Sequence, residues 1–200
     1  MTDSAENAGG NRKIFLFPLG TVLYPGGALP LKIFEQRYLD MTKACIRDNL
    51  PFGVCLIREG REVGDPAVPQ SVGCVVTIEQ WEMPVSSMFH LLVRGGERFR
   101  IHATRVAANG LMSGDVEMLP PATPAASDHT CAELLKRMIE EIGAEHFPQP
   151  LRFDDAAWVV YRLAEVLPLD GALKQYFLEF DDAAALAAEF KNSVLKQVLN

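Results

Sequence analysis

"FPLGTVLYPGGALPLKIFEQRY", Phe17 to Tyr38, interrupts an apolar run with three prolines and three glycines, then passes straight into a charged amphipathic segment. Proline cannot donate a ladder hydrogen bond, and glycine reaches backbone angles closed to other residues. The stretch therefore reads as short strands separated by sharp turns, followed by a helix. "IFLF" (Ile14 to Phe17) is a short apolar strand closed by Pro18. "ALPLKIF" (Ala28 to Phe34) is a second extended run, and its Pro30 places it at a sheet edge or bulge. Phe34, Tyr38, Met41 and Cys45 then recur at helical spacing, which predicts a helix over Glu35 to Asn49 that stops before Pro51.

Moving outward, strand signals continue to about Leu119. They are "FGVCLIRE" (Phe52 to Glu59), "GCVVTIEQWEM" (Gly73 to Met83), "MFHLLVRG" (Met88 to Gly95), "RFRIHATRV" (Arg98 to Val106) and "LMSGDVEML" (Leu111 to Leu119). Gly95-Gly96 and Asn109-Gly110 read as hairpin turns, and Pro84 to Ser87 as another. "GREVGDPAVPQS" (Gly60 to Ser71) is polar and broken, and reads as a loop.

From Ser127 the period changes from 2 to 3.6. Cys131, Leu134, Leu135, Met138, Ile139 and Ile142 form one apolar stripe, opened by a Thr130/Glu133 capping box. Further helices begin behind Asp154 or Asp155, at Asp170, and behind Asp181 or Asp182. "LPPATPAAS" (Leu119 to Ser127) is a Pro/Ala linker between the two regimes. The expected organisation is a disordered tail over 1–11, a β-rich unit over 12–121 and an α-helical bundle over 127–200. The linker predicts that a fragment ending near Pro121 keeps its strands unaided.

Composition limits the function classes. No segment approaches the ~20 uninterrupted apolar residues of a membrane helix, and the opening "MTDSAENAGGN" lacks both the basic and the apolar part of a secretory signal. The four cysteines, Cys45, Cys55, Cys74 and Cys131, sit in apolar contexts with neither CxxC nor disulfide-framework spacing, so buried thiols in a reducing cytoplasm are expected. A net charge of −7 opposes a phosphate backbone as the main ligand.

Taken in order, Phe17-Pro18-Leu19, Tyr24-Pro25-Gly26, Leu29-Pro30-Leu31 and Arg37-Tyr38 resemble the signature of the Lon protease substrate-binding (amino-terminal) domain family. "VGCVVTIEQ" (Val72 to Gln80), "LLVRGGERFRI" (Leu91 to Ile101) and "LPLDGALKQYFLEFDDAAALAAEF" (Leu167 to Phe190) extend the resemblance over nearly the whole chain after residue 12. It implies an α+β protein: a PUA-like β pseudobarrel with one inserted helix, followed by a C-terminal helical bundle. It also implies polypeptide recognition, alone or beside a separate protease or ATPase. The prolines and glycines of the opening stretch then serve a small, strongly curved barrel.

Catalytic motifs are missing from the sequence. There is no Gly-Lys dipeptide, hence no P-loop, and no glycine-flanked serine ahead of a lysine to form a Ser-Lys dyad. The histidines His90, His102, His129 and His146 offer no metal-ligand spacing. Asp154-Asp155 and Asp181-Asp182 are better helix caps than acid pairs. No cofactor or metal is expected.

Two features remain as binding candidates. Trp81, Met83, Met88 and Phe89 cluster at a hairpin tip, and methionine with tryptophan suits adaptable recognition of unfolded or apolar polypeptide; ordinary packing is the alternative. Alternation along "RFRIHATR" puts Arg98, Arg100 and His102 on one face, a possible phosphate-contacting stripe in an RNA-binding reading. The plainer alternative is a solvated barrel face whose arginines pair with Glu97 or Glu79. The sequence thus favours a non-catalytic polypeptide-recognition or adaptor module. An RNA-binding protein, or a small enzyme with a site in the cleft between the halves, is the alternative.

Overall fold

The computed structural model describes residues 11–195. The expected tail therefore lies outside the described residues except for Asn11, as do the last five residues of the expected helical half. Apolar stretches broken by turn residues pair into strands β1 (Arg12–Leu19), β2 (Ala28–Ile33), β3 (Phe52–Glu59), β4 (Val68–Val85), β5 (Met88–Val106) and β6 (Met112–Met118). The order is β2-β5-β4-β3-β1-β6, and β6 also pairs with β5. That second pairing closes β5-β4-β3-β1-β6 into a barrel and leaves β2 outside, on an edge. Pro30 thus sits where its missing N–H costs no ladder bond between two strands in mid-sheet.

Every pairing is antiparallel except β1 with β3, where Phe17 lies opposite Val54. A parallel pair needs a crossover, and β2 with helix α1 (Gln36–Asp48) supplies it. Helix α1 ends at Asn49 in the left-handed conformation, its N–H bonded to the carbonyl of Cys45. Its buried residues Tyr38, Leu39, Met41 and Cys45 pack on Phe17, Phe52 and Val54.

The Gly95-Gly96 hairpin expected from sequence does not exist; β5 runs through it without reversing. Between Gly95 and Arg98, β5 advances three residues while β4 retreats two, from Val76 to Cys74. This is a β-bulge with one extra residue on β5, and it bends the strand so that one edge can serve two partners. Residues Phe89–Arg94 pair with β2, and Phe99–Val106 pair with β6. Gly95 is required for a second reason: the carbonyl of Tyr24 lies where a Cβ would stand. The turn from Tyr24 to Gly27 is laced to it, Gly26 N–H donating to the Gly95 carbonyl at 2.8 Å and Gly95 N–H to that of Gly27 at 2.8 Å. The Asn109-Gly110 turn forms as expected, the turn expected over Pro84 to Ser87 is confined to Ser86-Ser87 because β4 runs through Val85, and the loop expected over Gly60 to Ser71 is shorter, because β4 already begins at Val68.

The helical region comprises α2 (His129–Ile142), a single 3-10 turn (Ala144–His146), α3 (Ala156–Val166), α4 (Gly171–Leu178) and α5 (Ala183–Phe190), with a π turn at Lys191–Leu195. Aspartates open all four of these α-helices: Asp128, Asp155, Asp170 and Asp182 each accept a backbone N–H from the first turn. The Thr130/Glu133 box is corrected. Asp128 accepts from Thr130 and Cys131, and Glu133 instead pairs with Lys136 at 2.8 Å.

The helices share a core with the barrel. Val22, Tyr24, Leu56, Val72 and Leu119 pack in one cluster with Val159, Leu163, Phe177, Leu186 and Phe190. The Pro/Ala linker is not a loose spacer either. Thr123 bridges to Asp182 and Ala126 to Asp155, so the linker is pinned along the starts of α5 and α3.

Candidate functional site

Beyond the barrel, β4 and β5 continue together as an arm, with β2 on the far edge of β5 as far as Phe89 and only the tip two-stranded. Every β4 residue from Glu79 to Val85 is exposed. Trp81, Met83 and Val85 alternate along it, 53%, 48% and 54% exposed, an unusual investment of large apolar side chains in solvent. Of the four residues chosen from sequence, Trp81 and Met83 lie on this surface and Met88 is half-buried. Phe89 belongs to the core. It is 3% exposed, packs with the α1 cluster, and supports Trp81 edge-on at 6.0 Å between ring centres. Its burial follows from its register opposite Ile33 of β2, which covers that side of β5. Val85 completes the patch, and strict alternation from Trp81 through Met83 could have found it. Two polar pairs flank the arm: His90 Nδ1 with Glu82 at 2.9 Å, and Arg94 held by both oxygens of Glu79 at 2.9 Å.

The basic stripe does not form as sequence alternation implied. Arg98 is 3% exposed. The extra residue of the bulge rotates it inward, so that Arg98 and Phe99 are both buried in succession. Its guanidinium donates to the carbonyls of Leu178 (2.9 Å), Phe180 and Pro120 (3.0 Å) and to Asp181 (2.9 Å). The planar fork of a guanidinium suits fixed geometry of this kind, and here its two terminal nitrogens clamp the end of α4 to the linker. Arg98 is a structural clamp with no side chain left for phosphate. Arg100 faces Glu117 across β6, His102 contacts the same Glu117 at 3.1 Å, and Arg105 lies 3.8 Å from Asp115. Beyond Arg98, the strand thus runs beside carboxylates of β6.

Sequence reasoning missed the polar seam between barrel and helices. Tyr24 is fully buried, stacks on Tyr161 at 4.8 Å, and donates its hydroxyl to the Lys174 carbonyl at 2.7 Å. Burial, reinforced by Glu165, pushes its phenol above the ordinary range. Arg162 is also fully buried and donates to the Pro25 carbonyl at 3.0 Å and to Glu165 at 2.8 Å. Burial raises the Glu165 carboxyl to about 7, against the pull of Arg162, Lys174 and Arg94. Gln175 donates to the Val72 carbonyl at 3.0 Å.

Beside this seam lies a groove of about 860 Å³ between barrel and helices. Phe147, Trp158 and Tyr161 form its apolar floor, and prolines of the linker and of the segment before α3 line its sides.

The family model of the ATP-dependent protease La (LON) substrate-binding domain matches residues 13–189. This chain belongs to that family. A crystal structure of a Lon N-terminal domain protein from Xanthomonas campestris is 34% identical, with a TM-score of 0.73 over 94% of this chain and 97% of that one. The N-terminal domain of Mycobacterium avium complex Lon protease shares the fold at 17% identity, with a TM-score of 0.62 over 90% of this chain and 97% of that one. A Lon protease from Paraburkholderia phytofirmans is 32% identical over 136 residues, 65% of this chain and 17% of that protein. The α+β architecture expected from the resemblance is thus the family's own.

Within this Lon-type domain the chemistry of the groove is limited. Among its lining residues there is no serine, threonine, cysteine, histidine or lysine. The four cysteines are buried and unpaired. Burial lifts the thiols of Cys55 and Cys74 to about 12 and those of Cys45 and Cys131 to about 11, far from thiolate character at neutral pH. Among the described residues no group of three His, Cys, Asp or Glu side chains is placed to hold a metal ion, and no helix is long and apolar enough to cross a membrane.

Proposed function

We propose that this Lon-type substrate-binding domain is a non-catalytic recognition or adaptor module that captures unfolded, apolar polypeptide in the cytoplasm, alone or beside a separate protease or ATPase. The observation carrying this reading is the arm: Trp81, Met83 and Val85 stand in solvent on the part of β4 beyond Val76, where β3 no longer pairs with it. Such side chains gain roughly 1.5–3 kcal/mol each when fully buried, so partial coverage of three supports weak, reversible capture. Family membership favours polypeptide over RNA, and so does the consumption of Arg98 by four internal acceptors.

The test is an equilibrium titration of the protein with a labelled, permanently unfolded polypeptide at low and moderate salt. Binding should be nearly salt-independent, because apolar contacts are barely screened. Replacing Trp81 and Met83 together by serine should weaken it about tenfold, ~1.4 kcal/mol, with unchanged far-ultraviolet circular dichroism and a cooperative melt. Unaltered affinity in that double variant would remove the arm from the account. Tight, salt-steep binding of single-stranded RNA would move the function to nucleic acid.

A further inference from the structure

We propose that the groove between barrel and helices is a second polypeptide subsite, which takes an extended segment carrying a lysine or arginine among apolar residues. The proposal rests on the reading of this domain as a polypeptide-recognition module and adds a site and a sequence preference to it.

Three observations lead to it. The first is shape: at about 860 Å³, with a floor of Phe147, Trp158 and Tyr161, the groove has the size and apolar lining of a ligand site. The second is an uncovered strand edge. The pairing of β5 with β2 ends at Arg94, with the Tyr24–Gly27 turn serving Gly95. Pairing with β6 resumes at Phe99, and the Leu119 N–H serves the Arg98 carbonyl. Gly96 and Glu97, the bulge itself, lie between these partners, are exposed, and line the groove; the Gly96 carbonyl accepts from the Cys74 thiol of β4 at 3.4 Å, which leaves Glu97 as the unpaired position of the edge. An extended peptide is the partner that fits beside a strand edge.

The third observation is charge. The cations Arg94 and Arg98 line the groove but are spent, Arg94 on Glu79 and the Gly26 carbonyl, Arg98 on its clamp. Asp155 is spent on the first turn of α3. Glu97 makes no ion pair among the described residues. Glu145, from the opposite side of the groove, meets only its neighbour His146, at 3.7 Å. Against these two carboxylates stands Arg152, also without an ion pair among the described residues. The groove's uncommitted charges are thus two carboxylates, one from the barrel and one from the helical region, against one guanidinium, a balance that favours a basic residue on the occupant.

The experiment uses the full chain and two short fluorescein-labelled peptides, one with lysine among leucine and proline residues, the other with glutamate at the lysine positions. Anisotropy should show the lysine peptide binding about fivefold tighter. E97Q/E145Q should abolish that preference, and R152Q should strengthen binding of the lysine peptide. W81S/M83S should leave the preference intact, since the arm lies outside the groove. The general field of an acidic protein is controlled by E140Q/E141Q, which removes the same charge from the exposed face of α2. No preference in the parent, survival of the preference in E97Q/E145Q, or an equal loss in E140Q/E141Q overturns the proposal. If unfolded protein still binds through the arm in those cases, the groove alone is refuted. If no polypeptide binds anywhere, the recognition reading fails with it.

Discussion

Arg162 and Glu165 meet at the seam under the Tyr24–Gly27 turn, and their titration couples to folding. Arg162 is fully buried, and Glu165 stands against it at 2.8 Å with about a quarter of its side chain exposed. Burial raises the Glu165 carboxyl from 4.5 to about 7. A raised folded-state value means that the native protein holds this proton more tightly than the unfolded chain does. The group's contribution to stability is therefore complete below about 4.5 and is lost as pH rises through about 7. The stability difference between the parent and Glu165→Gln should consequently change across this window, by on the order of 1 kcal/mol after allowance for solvent screening. Denaturant melts of both proteins at pH 5 and pH 8 read it directly. A difference that is the same at both pH values would mean that Glu165 is ionised throughout.

At the scale of elements, much of the fold was written in local chemistry. Aspartates ahead of apolar stripes marked the starts of α3, α4 and α5, because a carboxylate accepting first-turn N–H groups is a local device, whereas Asp128 ahead of α2 was passed over for Thr130. Pro30 announced an edge strand, and the Phe52–Glu59 strand follows from its own apolar run. What failed was Gly95-Gly96. A glycine pair serves equally a hairpin or a bulge with a close backbone approach, and only the distant Tyr24 carbonyl decides between them. That one bulge also explains the misplaced Arg98 and, with it, the unsupported phosphate stripe. At the candidate site, Trp81 and Met83 were legible as exposed apolar residues on a strand, whereas the burial of Phe89 depends on β2 coming back from far along the chain to cover it. The groove was not legible at all, because its walls come from segments more than a hundred residues apart.

The molecule as a whole is held together across its middle. The Tyr24 hydroxyl, the Arg98 clamp, Arg162 and Gln175 all cross the seam, and Val22, Leu56, Val72 and Leu119 complete a core that the helices share. Barrel and helices should therefore unfold in one transition. Trp158 reports from the helices and strand circular dichroism from the barrel, and their denaturant midpoints should coincide. Arg98→Met should lower both together, by about 2–4 kcal/mol, since it strands buried carbonyls without partners. A fragment ending near Pro121 would bare that core and should fail to fold, contrary to what the Pro/Ala linker alone suggests. Separated midpoints would show two independent units.

The central claim is that polypeptide binds the protruding arm, and hydrogen exchange locates binding without altering a residue. With a saturating unfolded polypeptide, whose binding is verified by anisotropy, backbone amides of β4 and β5 between Glu79 and Leu92 should exchange more slowly than in the free protein. Unchanged exchange along the arm while the polypeptide is bound, with protection confined to another surface, would contradict it.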